Sequence, residues 1–185
     1  MLGVDCMKII NNKFKNKLNI RCEKDFPIKG IEFIDINPLL MNNHIYKEMI
    51  NLFYDEISKY NVDYIVMPEA RGFAIGSAVA DRLNIGCIPV RKKGKLPPST
   101  VALQVLYEKE YGKDILELPK LEDDNYNNKN YYIIDDIYAT GNTMKAIKEG
   151  IEKLGGNVVG EGVIINIVEL NDNHNLFSLI DVNEE

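Results

Sequence analysis

The sequence predicts an α/β fold in which a central parallel sheet is flanked by helices on both faces. Three observations carry this expectation. A short Val/Ile-rich run, a loop of small residues and a one-sided helix occur in that order at 63–83 and recur at 131–154, the rhythm of parallel strands joined by crossover helices. Both loops, EARGFAIG at 69–76 and DDIYATGNT at 135–143, lie where a strand runs into a helix, the end of such a sheet at which ligands bind. The 185 residues, 45% hydrophobic and 27% charged, are ordinary globular composition and are expected to form one domain over 1–185.

The elements follow in order. Residues 1–24 alternate short apolar patches with Asn and Lys, and a helix is expected there. Asp5 interrupts the apolar patch, which is too short for a signal sequence or a membrane span. Pro27, Gly30 and Pro38 punctuate DFPIKGIEFIDINPLL into a loop, a strand at 31–34 and a second loop. Met49, Ile50, Phe53 and Ile57 recur at helical spacing and predict a core-facing helix over 46–60. DYIVMP at 63–68 reads as a buried strand and 75–83 as a helix, with Cys87 on a following buried strand. The segment 94–118, rich in Lys, Pro, Tyr and Glu, breaks the rhythm and is expected to leave the sheet as a mobile hood. After the turn NYNNKN come the strand YYIIDD, the loop IYATGNT and a helix to Leu154, which Gly155 and Gly156 close with a left-handed cap. VVGEGVIINIVEL is read as the last strand.

The net charge of −6, from 22 Lys and Arg against 28 Asp and Glu, provides no global basic field for nucleic acid or an anionic membrane. Anion binding must therefore be local. Cys6, Cys22 and Cys87 are scattered and odd in number, which fits reduced thiols in a cytoplasmic protein. His44 and His174 stand isolated in polar segments with no partner at metal spacing. A small-residue loop leaves its backbone N–H groups free to face an anion, and the helix dipole behind it adds to the attraction. ATGNT is thus a cradle for a monophosphate, with Thr140 and Thr143 adding hydroxyl donors. Phosphate would repel Asp135 and Asp136, so these carboxylates are expected to face sugar hydroxyls or a magnesium ion. The plainer alternative makes them solvated loop residues and Thr140 a simple helix cap.

YYIIDDIYATGNT resembles the thirteen-residue phosphoribosyl pyrophosphate signature of the type I phosphoribosyltransferases. DFPIKGIEFIDINPLL, PEARGFAIGSAVADRL, IPVRKKGKLP, YEKEYGKDILEL and GVIINIVEL follow in the order and approximate spacing of that family's adenine branch, over roughly residues 24–170. The resemblance implies the type I phosphoribosyltransferase fold. It also implies transfer of a phosphoribosyl group to N9 of adenine, giving AMP and releasing pyrophosphate, in purine salvage.

By the same resemblance, Asp135 and Asp136 hold the ribose hydroxyls, directly or through metal-bound water, and Ala139, Thr140, Gly141, Asn142 and Thr143 hold the 5′-phosphate. Magnesium is expected as the cofactor, bound through phosphoribosyl pyrophosphate and water with Asp135 or Asp136 as the available carboxylate. Glu69, Ala70 and Arg71 match the pyrophosphate loop, whose peptide at Glu69–Ala70 is often cis in the superfamily. Lys95 matches the pyrophosphate lysine. Arg91 matches an arginine that reaches a neighbouring subunit, which implies a homodimer. Glu110 matches the acid beside the base and leaving group, and Tyr111 the aromatic residue of the hood. Glu32, Phe33 and Ile34 match the segment beside the base, with Phe33 as an apolar wall.

Four departures bear on these roles. Glu32 stands where the family has a hydrophobic residue, Ile34 where it has a basic one, NDNHNLF replaces a Gly-Arg-rich segment, and Asn142 replaces a glycine. The first two keep open another base, namely hypoxanthine, guanine or xanthine. A regulator that binds phosphoribosyl pyrophosphate without catalysis is the alternative of another class, and the acidic charge and the presence of Glu110 weigh against it.

Overall fold

The computed structural model describes residues 7–15, 18, 20–26, 28–30, 32–109, 112–123 and 125–184. Its strands are β1 (Met7–Asn12), β2 (Arg21–Lys24), β3 (Glu32–Asp35), β4 (Tyr64–Pro68), β5 (Gly86–Lys92), β6 (Val101–Lys109), β7 (Gly112–Pro119), β8 (Asn130–Tyr138), β9 (Asn157–Ile167) and β10 (Phe177–Glu184). The helices are α1 (Asn37–Met41), α2 (Asn43–Ile57), α3 (Arg71–Leu83) and α4 (Asn142–Lys153). Eight strands form one mixed sheet in the order β1-β10-β9-β8-β4-β5-β7-β6, and β2 pairs with β3 separately. The neighbouring pairs from β10 through β5 are parallel, as expected, while β1, β7 and β6 join antiparallel at the edges.

The parallel centre follows from β8. Its successive residues face opposite ways, so Tyr132 and Ile134 enter one apolar cluster with Met49 and Phe53 of α2 and Ile75 and Val79 of α3. Tyr131 and Ile133 enter the other, with Ile147 and Ile151 of α4 and Leu116 and Leu118 of β7. Helices thus cover both faces. The α2 stripe predicted from spacing is buried at Met49, Ile50, Phe53 and Ile57, and Asn42 caps the helix by accepting from the N–H groups of His44 and Ile45. Gly155, at φ +86°, ends α4 in the expected left-handed conformation.

Several expectations are corrected. Residues 1–24 contain strands β1 and β2 rather than a helix among the described residues, because β1 forms the edge of the large sheet, paired along β10 from Met7↔Glu184 to Asn12↔Ile180. The segment 94–118 does not leave the sheet: β7 pairs with β5 at Arg91↔Glu117 and β6 pairs back along β7. Its period-two burial at Val105 and Tyr107, matched by Leu116 and Leu118, is the cause. Gly150 of α4 permits this hairpin to pack closely, since a Cβ there would meet Val105 at 2.8 Å and Leu118 at 3.2 Å. The strand β10 lies beyond the expected last strand, and α1 falls where a loop was expected, with Pro38 in its first turn. His44 lies in α2 rather than a loop, and like His174 it is exposed. Cys87 is a free thiol but exposed, because it precedes the point where β5 enters the core at Ile88. Cys22 is disulfide-bonded, so reduced thiols are not the state of all the cysteines; spatial pairing is invisible in a count of scattered residues.

Candidate active site

Strands β4 and β8 lie side by side, with Tyr64↔Tyr131 through Val66↔Ile133 in register. Their carboxyl ends therefore deliver both candidate loops to one place. β4 ends at Pro68, the peptide Glu69–Ala70 is cis, and α3 begins at Arg71. Asp135 and Asp136 are strand residues, as the reading of YYIIDD predicts, and β8 continues through Ile137 and Tyr138 where the loop was expected to begin. A cavity of about 240 Å³ opens between the two ends, lined by Glu69, Ala70, Arg71, Asp135, Asp136 and Thr143 and closed on the side of β5 to β7 by Lys92, Tyr107 and Leu116.

Arg71 organises the cavity. Its Nε lies 2.7 Å from Asp136 Oδ2, and the Asp136 side chain is only 7% exposed. That oxygen has no aligned hydrogen bond, so the guanidinium charge is what compensates it. Arg71 Nη1 also donates to the carbonyl of Ile34 at 3.3 Å, and its guanidinium lies 5.3 Å from the Phe33 ring centre. One side chain thus links the sheet's acidic pair to the separate β2–β3 ribbon. The Phe33 ring also meets Phe26 edge-on at 5.2 Å.

Asp135 Oδ1 accepts from the backbone N–H of Asp136 at 2.9 Å. Burial, and then the neighbouring Asp136 charge, push the Asp135 carboxyl well above the usual range, against a lowering influence from Arg71. Gly72 lets α3 start against this pair, because a Cβ would stand 3.1 Å from the Ile134 carbonyl and 3.3 Å from Asp135 Oδ1. Glu69 turns toward β5. Its Oε2 accepts from Lys92 N–H and Arg91 Nε, each at 3.0 Å, and these two donors hold its carboxyl below the ordinary value.

At the other loop, Gly141 takes φ +77° and is the N-cap of α4, with no side-chain cap. A Cβ on Gly141 would collide with the hydroxyl of Tyr138, so glycine is required both by conformation and by space. The first-turn N–H groups of α4 are thereby left to an anion. Thr140 is exposed and does not cap the helix. Asn142 is the first helical residue, so the left-handed position falls on Gly141 and not on Asn142.

The expected residues are not all gathered. Ile34 is 3% exposed within the core, so its side chain packs there while its carbonyl faces Arg71. Glu32 places Oε1 in a buried position without a hydrogen-bond partner. Lys95 is exposed in the turn after β5, whose backbone N–H donates to Lys92 O, and Lys92 lines the cavity in its stead. Arg91 pairs within its own chain, with Glu69. Glu110 and Tyr111 lie outside the described residues. Lys92 and Tyr107 were not singled out from sequence; the period-two alternation that buries Val105 also turns Tyr107 inward, and it was the available signal.

The family model of the phosphoribosyl transferase domain matches residues 36–175. Adenine phosphoribosyltransferase of Fervidobacterium nodosum is 46% identical over 152 residues, covering 82% of this chain and 87% of the relative. The chain belongs to the adenine phosphoribosyltransferase family. The family's enzyme from Brachyspira hyodysenteriae is 47% identical with the same coverage. Among solved adenine phosphoribosyltransferases, that of Thermoanaerobacter pseudethanolicus superposes with a TM-score of 0.80 at 38% identity, covering 88% of this chain and 95% of its own. The Saccharomyces cerevisiae enzyme, solved with an iminoalditol bisphosphate and adenine, gives 0.76 at 33% identity, covering 86% and 93%. The mixed eight-stranded sheet with helices on both faces is therefore the type I phosphoribosyltransferase fold.

Proposed function

We infer that the protein transfers the 5-phosphoribosyl group of phosphoribosyl pyrophosphate to N9 of adenine, giving AMP and pyrophosphate, a reaction of purine salvage. The observation that carries this reading is the joint opening of the Asp135–Asp136 pair, Arg71 and Thr143, in the first turn of the uncapped α4, onto one cavity. In the reaction the bond from ribose C1 to pyrophosphate oxygen breaks with its electron pair leaving on pyrophosphate. The N9–C1 bond forms, and the base gives up a proton. Such a centre develops positive charge on the ring and negative charge on the leaving group, so fixed charges on opposite sides stabilise it.

Asp135 and Asp136 are assigned to the ribose hydroxyls, residues 139–143 to the 5′-phosphate, and Arg71, with Lys92 beside it, to pyrophosphate. Lys95 would join them by movement of its exposed turn. Phe33 supplies the flat apolar wall for the base, and the backbone groups of Glu32 and Ile34 read its edge. Glu110 is assigned to proton transfer and Tyr111 to the closing hood.

Magnesium belongs to this proposal as part of the substrate. Among the described residues no cluster of three or more His, Cys, Asp and Glu side chains is built to hold a metal. Two adjacent carboxylates do fit magnesium, which keeps its waters and binds through one or two carboxylates plus phosphate oxygens. Bound there, it would neutralise charge on the departing pyrophosphate. We extend the proposal to a homodimer in which Arg91 exchanges Glu69 for the neighbouring site. A cytoplasmic location is supported by the free, exposed thiol of Cys87, and the disulfide at Cys22 does not support it. Among the described residues no helix is long and apolar enough to cross a membrane.

The reading is tested by following AMP formation from adenine and phosphoribosyl pyrophosphate with magnesium. Formation that chelation abolishes is the expected result; tight binding of phosphoribosyl pyrophosphate with no AMP would overturn it.

A further inference from the structure

The polar segment after β9, whose sequence departs from the family pattern, is bonded to the loop that receives the 5′-phosphate. The two N–H groups of Asn171 Nδ2 are shared among three acceptors, the Ala139 carbonyl at 3.0 Å, Asn166 Oδ1 at 3.0 Å and the Ile167 carbonyl at 2.9 Å. Asn171 Oδ1 accepts from the N–H of Asn173, whose own Nδ2 donates to Tyr138 Oη at 3.2 Å and to Glu161 Oε2 at 3.1 Å. Both asparagines therefore grip the two residues that precede Thr140 and Gly141.

The grip has a direction. In a trans peptide the C=O and the following N–H point opposite ways. Holding the Ala139 carbonyl toward Asn171 turns the Thr140 N–H away from it, into the loop. Tyr138 Oη lies directly beneath Gly141, where no Cβ fits. Fixing that hydroxyl fixes the floor on which the left-handed Gly141 and the start of α4 rest.

Behind this latch a polar row crosses the sheet, and within it Asp181 is the residue that orients Asn166. Asn11 of β1 is paired with Asp181 of β10, and Asp181 with Asn166 of β9. Asn11 donates to Asp181 Oδ2 at 3.2 Å and Asn166 donates to Asp181 Oδ1 at 3.1 Å. With Asn166 only 9% exposed, its amide is oriented by Asp181, which leaves its Oδ1 to accept from Asn171. We propose that Asn171 and Asn173 are positioning residues for the 5′-phosphate, acting through the Ala139 carbonyl and the Tyr138 hydroxyl. This rests on the proposed function only in that residues 139–143 receive a phosphate.

The test is calorimetric binding of ribose 5-phosphate, which carries that phosphate but needs no base. Asn171→Ala and Asn171→Leu remove the amide donor, the latter while keeping the side-chain size and adding no charge. Each is expected to weaken ribose 5-phosphate about tenfold, the factor for one lost hydrogen bond of ordinary strength. KM for phosphoribosyl pyrophosphate should rise alongside, with KM for adenine within about twofold of the parent. Tyr138→Phe, which keeps the ring under Gly141, is expected to act in the same direction and serves if the Asn171 variants do not fold. Asn11→Ala, at the far end of the row, should lower the melting temperature without moving the phosphate affinity.

Unchanged ribose 5-phosphate binding in a folded Asn171 or Tyr138 variant overturns the proposal, as does an equal loss in Asn11→Ala, which would mark a general effect of stability. A parent protein that fails to bind ribose 5-phosphate overturns both this proposal and the proposed function. A parent that binds it, loses it with Asn171 and yet makes no AMP overturns the function alone.

Discussion

Asp136 and Arg71 show how much depends on a single contact. The 2.7 Å ion pair compensates an Asp136 oxygen that is otherwise buried without a hydrogen bond, so Asp136→Asn removes the charge that orients Arg71 between the cavity and β3. Turnover is expected to fall by about a hundredfold or more with the fold retained, and Glu110→Ala, removing the assigned proton-transfer group, should fall by a similar factor. Steady-state rates with circular dichroism as the folding control check both; near-parental rates in either variant would remove the role given to that residue. At this scale the sequence was informative where a residue's chemistry and its spacing agreed, as at Asp135, Asp136, Arg71 and Gly141. It was uninformative where placement depends on which way a strand residue faces. Lys92 rather than Lys95 lines the cavity, and Ile34 turns its side chain into the core. Neither orientation is visible until β5 and β3 have their neighbours.

The strand β8 with α4 and the strand β4 with α3 were legible as units because each contains its own punctuation. An apolar run, a small-residue loop and a one-sided helix are local patterns that need no partner to be recognised. The edge strands were not legible. β1 and β10 meet through residues that are more than 160 positions apart, such as Asn11 and Asp181, and the hairpin of β6 and β7 extends a sheet whose centre lies elsewhere in the chain. Gly141 gives the sharpest test of an element boundary. Gly141→Ala places a Cβ against the Tyr138 hydroxyl at φ +77°, which is expected to cost about 1 to 3 kcal/mol in urea unfolding and to weaken ribose 5-phosphate binding. Stability within about 0.5 kcal/mol of the parent would show that the start of α4 does not depend on that turn.

Across the whole molecule, one face of the sheet is closed by α2 and α3 and the other by α4, which packs against the sheet's own β6–β7 hairpin, leaving the carboxyl ends of β4 and β8 open to ligand. The far edge is tied by Asp181. Burial raises its carboxyl, but hydrogen bonds from Ser178, Asn166 and Asn11 outweigh this and hold it below the ordinary value. A depressed carboxylate stabilises the fold at neutral pH and loses that contribution as pH falls through its folded value. Asp181→Asn should therefore melt below the parent at pH 7, with the gap closing below about pH 4; a gap that widens on acidification would contradict the shift. The central claim is that this scaffold, with Ile34 in its core and its carbonyl held by Arg71, still serves adenine. The most direct measurement is kcat/KM for pyrophosphate release from phosphoribosyl pyrophosphate with adenine, hypoxanthine, guanine and xanthine in turn. A preference for adenine of about a hundredfold or more over each of the others is the predicted result, as expected when a buried site is built for one hydrogen-bonding edge; a higher value for any of the other three would contradict it.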